Sequence, residues 1–228
     1  MKLKKTICSI ALMGSLVLAS AQAAYADVTV VYKMTSKNGG GQQTIYYADK
    51  QHVRMDMSGG AGRTMTMLKR GDKVYAITGK VVQDLSQLSQ MMGAMGMGKQ
   101  GGNKPQAPIK FEDTGKTETI AGLRGKVYRF VEKGKRHEVV LAQNKDLQNA
   151  VLGIVEITKA ATSMMPFDAT SRIQQDASIK NMALLRLDNT LILQSMNTHA
   201  VPAETFKLPS KPQQMGGMGA LMKGVLGN

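Results

Sequence analysis

Cysteine, tryptophan and proline are scarce in this chain of 228 residues, which holds one Cys, no Trp and 6 Pro, with aromatic residues at 4%. The one cysteine, Cys8, lies ahead of an export cleavage motif, so the chain downstream of it has no thiol. Disulfide stapling, thiolate catalysis and zinc sites of the cysteine type are excluded together. With so few rings there is little for bases to stack on, and no nucleic-acid partner is expected. Signatures of catalysis are missing too. His52, His137 and His199 are scattered without H-x-H or H-E-x-x-H spacing, no G-x-S-x-G elbow occurs, and no carboxylate pair stands in apolar surroundings. The expectation is a protein that is not an enzyme and carries neither metal nor cofactor.

Long apolar runs are also absent, apart from one at the start. Lys2, Lys4 and Lys5 precede the apolar stretch Ile7 to Ala19, and Ala24-Tyr25-Ala26 follows as an A-x-A cleavage site. The stretch is about 13 residues, short of the roughly 20 that cross a bilayer. Residues 1–26 therefore read as a secretory signal cleaved after Ala26, or after Ala23 at Ala21-Gln22-Ala23, and the expected location is the periplasm. Cys8 is not at the first mature position, where a lipoprotein would be acylated. Cleavage removes three Lys and no acid, leaving 27 basic against 16 acidic residues, a net charge of +11. Outside the cytoplasm that charge suits an anionic membrane surface, acidic glycopolymer or simple solubility.

The composition of the full chain is ordinary for one globular domain: 43% hydrophobic and 20% charged residues, with 24 Gly and an unusual 18 Met. Two-residue alternation dominates the part beyond the signal. Val28, Val30, Tyr32 and Met34 share one face of a first strand, and Thr44 to Tyr47 belong to a second beyond Asn38-Gly39-Gly40-Gly41. Further strands are expected at 51–57, 63–69, 73–78 and 80–85, then at 109–119, 126–131, 136–141, 178–187 and 190–197. From Asp146 to Met165 the period changes to helical, with Asn144 as cap and Pro166 as stop. One amphipathic helix is too small to cover so many strands laid flat. The expected fold is mainly β (α+β): a curved antiparallel sheet forming a half-barrel over 27–209, with the helix on its concave face. A Gly/Met-rich loop at 91–108 interrupts it, and a Gly/Met tail at 210–228 follows.

The run Val53-Arg54-Met55-Asp56-Met57, a strand, and then Lys69-Arg70-Gly71-Asp72-Lys73-Val74-Tyr75 resembles the "R-x-(E/D), strand, turn, aromatic" layout of LolA/LolB-type lipoprotein carriers. With Gly122-x-x-Gly125-x-x-Tyr128 and Phe206-x-x-Pro209, the chain is similar to the secreted bacterial domain-of-unknown-function family 4412, related to that half-barrel superfamily. The resemblance covers roughly 28–210. It implies a LolA-like half-barrel and a lipid-related binding role, with lipid or lipoprotein acyl chains as partners and Arg54 as a charge at the cavity mouth.

Met55 and Met57 share one face of a strand, and Met65 and Met67 one face of the next. If opposed residues sum to an even number, as 57 with 65, all four form one soft apolar patch that adapts to varied cargo. The same four can equally be core. Arg54 has the opposite parity and faces away from them, within reach of Asp56. The segment Met91-Met92-Gly93-Ala94-Met95-Gly96-Met97 can form a rim or lid, and Gln100 stands where a P-loop needs Ser or Thr. Three functions stay open: a periplasmic carrier of an apolar or amphipathic ligand; a Met-rich Cu(I)-binding protein, since thioethers select soft ions; and an envelope interaction protein with a basic surface.

Overall fold

In a computed structural model of the chain, the described residues are 27–36, 39–59, 64–85, 109–160, 176 and 179–213. They form one antiparallel sheet of eleven strands. The first meander comprises β1 (Val28–Ser36), β2 (Gly39–Asp49), β3 (His52–Ser58), β4 (Thr64–Arg70), β5 (Lys73–Thr78) and β6 (Val81–Asp84). The second comprises β7 (Glu112–Ile120), β8 (Leu123–Glu132), β9 (Lys135–Ala142), β10 (Ala183–Leu187) and β11 (Leu191–Asn197). Pairing of β1 with β11 joins them in the order β6-β5-β4-β3-β2-β1-β11-β10-β9-β8-β7. The ends, β6 and β7, do not pair with each other, so the curved sheet stays unclosed.

The turns follow from local chemistry. Gly71, Gly79, Gly122 and Gly134 adopt positive φ at the tips of four hairpins, where a side chain would be strained. In the Gly122-x-x-Gly125-x-x-Tyr128 run the second glycine has another reason. A Cβ on Gly125 would stand 2.6 Å from Val140 Cγ1 and 2.9 Å from Leu185 Cδ1. The motif thus allows a turn, a close strand approach and a buried Tyr128.

Between β9 and β10 the chain forms α1 (Lys145–Ala160). Asn144 caps it, its Oδ1 accepting from Leu147 N at 2.9 Å, and Asp146 in the first turn complements the helix dipole. The helix packs against β10, β1, β2, β3 and β4. Leu147, Ala150 and Ile157 join Val30, Ile45 and Val53 in the inner core. The interior glycine of the helix is a contact point, because a Cβ on Gly153 would lie 2.8 Å from Val53 Cγ1 and 3.0 Å from Tyr47 Cδ2. The expected stop at Pro166 lies outside the described residues.

The expected strand over 178–187 is shorter than the alternation implied. Residues 179–182 are a turn, with Met182 N donating to Ile179 O, and pairing begins at Ala183. Ile179 and Met182 instead pack on the outer face of the sheet with Phe111, Tyr128 and Phe130. A second outer cluster places Val201 and Phe206 over Leu68, Tyr75, Ile77 and Val82. The sheet is therefore covered on both faces, whereas sequence reasoning provided only for the helix side.

Candidate functional site

The register of β3 and β4 sets Met55 opposite Met67 and Met57 opposite Met65, so all four thioethers lie on the helix-facing side. Their surroundings differ. Met55 and Met67 are 0% and 1% exposed and belong to the core cluster that α1 joins, while Met57 and Met65 are half-buried and pack against its margin. Gln43 Nε2 donates to Met55 Sδ, tying the inner pair to β2.

Met57 and Met65 border a depression of about 600 Å³, shared with Met34, Ser58, Gly59, Thr64, Thr78 and Gly79. Met34 was not among the sequence candidates, although its place on the Val28-Val30-Tyr32 face was the available signal. It enters the site because β2 adds no side chain to the lining; Met34 pairs with Gly41, and the next two residues of β1 pair with Gly40 and Gly39. A Cβ on Gly41 would stand 2.2 Å from the Ser58 carbonyl oxygen, so backbone approach requires glycine there. The glycine run that read as a turn also leaves room beside Met34.

Arg54, the candidate mouth charge, does not border the apolar depression. It stands on the outer face, with Nε 2.9 and 3.1 Å from the two carboxylate oxygens of Asp56 and Nη1 donating to Thr205 O at 3.0 Å. Thr66 Oγ1 donates to Asp56 Oδ1 at 2.6 Å. Around this pair, Gln42, Thr44, Met57, Ser58, Thr64 and Thr66 line a second, polar depression of about 390 Å³.

The histidines have structural partners. His52 pairs with Asp49 and meets Phe206 edge-on, with ring centroids 5.9 Å apart. His137 Nδ1 lies 2.7 Å from Asp188 and its ring stacks on Phe130. His199 contacts Asn197. Two tyrosines on the helix-facing side are held more firmly protonated than usual. Desolvation pushes the Tyr47 phenol up, and the Asp49 charge adds to the effect. Burial also raises the Tyr32 phenol, which donates to Leu184 O at 2.7 Å. Among the described residues no three His, Cys, Asp or Glu side chains gather as metal ligands. No helix among them is long and apolar enough to cross a membrane. Met91, Met92, Met95 and Met97 lie outside the described residues.

No protein-family model matches the chain, and no curated protein matches it. Among solved structures it is similar to a LolA superfamily protein from Nitrosomonas europaea, at 10% identity and a TM-score of 0.27, over 79% of this chain and 88% of that one. The open, curved sheet with a helix against one face rests on this chain's own strand order and helix position.

Proposed function

We propose that the protein is a non-enzymatic binding protein of the cell envelope that holds an apolar or amphipathic, lipid-like ligand in a LolA-like half-barrel. The observation that carries this reading is the depression bordered by Met34, Met57 and Met65, beyond the part of the sheet that α1 buries. Unbranched thioethers repack around chains of different shape at little cost, which suits a ligand defined by apolarity. No ionisable side chain among the described residues lines this depression, and Arg54 and Asp56 are engaged with each other on the opposite face. The open, curved sheet with a helix against one face is the arrangement that the sequence resemblance implies.

The same three sulfurs favour a second reading, a soft-metal site for Cu(I). One experiment separates the two. Replacing Met34, Met57 and Met65 by Leu together keeps apolar volume and removes sulfur, so alkyl-chain binding stays within about threefold while any Cu(I) binding is lost. Met57→Lys places a charge in the depression and is expected to weaken binding of a fluorescent alkyl probe at least tenfold, about 1.4 kcal/mol. Unchanged probe affinity in Met57→Lys would sink the carrier reading.

A further inference from the structure

Turns of an antiparallel sheet alternate between its two ends. The strand order and the pairing of β1 with β11 place Gly79-Lys80, Asp188-Asn189 and Lys133-Gly134 at one end, and Lys50-Gln51, Gly71-Asp72 and Ala121-Gly122 at the other. The apolar depression belongs to the first end, where Thr78 and Gly79 help to border it. Among the described residues both exposed large hydrophobic side chains stand at this same end, Val81 at 41% and Val131 at 59%. Parity puts both on the helix-facing side. Val81 is the register partner of Thr78, and Val131 follows Val127 of the inner core by two strand repeats.

Exposed cations flank each valine. Lys80 precedes Val81, while Lys133, Lys135 and Arg136 follow Val131, and Arg136 is its register partner. The acids nearby are Glu132, Glu138, which Arg186 and Arg129 hold, and Asp188, which His137 meets. The β8–β9 hairpin also projects. Its registered pairing with β7 ends at Arg129 and with β10 at Val139, yet β8 and β9 pair for three further rungs, about 10 Å.

We propose that this end of the sheet docks on an anionic lipid bilayer, with Val131 and Val81 entering the head-group layer and Lys80, Lys133, Lys135 and Arg136 meeting lipid phosphates. Two valines bury too little area to hold a bilayer alone, and a few cations are screened by salt, so both contributions are needed. A soluble polyanion uses the cations and leaves the valines in water, whereas a bilayer takes both. Docking needs no bound ligand, so the inference extends the carrier reading without depending on it.

The test is flotation of the exported protein with vesicles of three parts phosphatidylcholine to one part phosphatidylglycerol, and with phosphatidylcholine alone. Binding to the anionic vesicles should be at least tenfold tighter, and raising sodium chloride from about 50 mM to about 500 mM should release the protein. The combined variant Lys133→Gln, Lys135→Gln, Arg136→Gln should lose at least tenfold in affinity. Lys50→Gln, Arg70→Gln, Arg124→Gln, which removes the same charge from the opposite end, should stay within threefold. Val131→Ser should weaken binding about threefold, about the transfer of one side chain's apolar surface. Val131→Trp supplies the chain's one tryptophan, whose emission should shift to the blue on anionic vesicles and not on phosphatidylcholine. Urea denaturation and alkyl-probe binding of each variant report the fold and the apolar site separately, so failure of docking and failure of the carrier reading are told apart. Equal losses in the two triple variants, equal binding to both vesicle types, or no binding overturns the inference. Tighter binding to polyglutamate than to vesicles, unchanged by Val131→Ser, also overturns it and assigns the cations to an acidic polymer.

Discussion

Single residues set the limits of what this sheet can accommodate. Tyr32 is 2% exposed and hydrogen-bonds across the inner core to the Leu184 carbonyl, joining the first meander to the second. Tyr32→Phe keeps the ring and removes that bond, and it should cost about 1.5 kcal/mol in urea denaturation. A loss below about 0.3 kcal/mol would show that the hydroxyl makes no net contribution. Gly153 illustrates the same principle from the opposite direction. Propensity marks it as a weak point in the helix by about 1 kcal/mol, but its missing side chain is what lets α1 rest on Val53 and Tyr47. Met55 and Met57, two residues apart and alike in pattern, end in different roles because one lies inside the core cluster and the other packs against its margin.

At the level of elements, charge adds ties between strands that also share the core. Arg186 on β10 donates through Nη2 to Glu118 on β7 and to Glu138 on β9, each at 2.7 Å. The hydrogen bond from Arg186 holds the Glu138 carboxyl below its ordinary range, aided by the charges of Arg186 and Arg129 and opposed by desolvation. A carboxyl depressed in the folded state adds stability above its unfolded value, about 4.3, and loses it as pH falls through the folded value. Glu138→Gln should therefore be less stable than the parent at pH 7, with the two converging below about pH 4. A pH-independent difference in denaturation midpoint would assign the effect to packing alone. The 179–182 turn shows why alternation misleads at element ends. Its apolar residues are buried by folding back over the outer face, and burial is what periodicity detects, not pairing.

For the whole molecule the decisive features are an open sheet and a strong positive charge. The edge strands are protected differently. β7 carries Glu112, Asp113, Lys116 and Glu118, and β6 is met by Gln213, whose N donates to Val82 O at 2.9 Å. The first described strand begins at Val28, and Asp27 Oδ2 accepts from Val201 N at 3.0 Å. Cleavage after Ala26 would keep both the strand and this contact. Intact-mass analysis of the exported protein should find a chain starting at Asp27, or at Ala24 if the earlier site is used. A mature chain that retains Lys2 to Lys5 would overturn the secretory reading.

Strand alternation, hairpin glycines and the Asn144 cap were legible in the sequence because each is a local choice of backbone conformation made within a few residues. The Arg54–Asp56 pairing was legible for the same reason, since parity on one strand places them together. What pairing with β4 would do to the methionines was conditional on register, and only the assembled sheet set Met57 against Met65. Tertiary structure alone brought Met34 into the same depression, through the bare glycines of β2, and laid Val201 to Phe206 over the outer face. Those contacts join residues far apart in the chain, and their energy depends on shape and burial, which no short window of sequence contains.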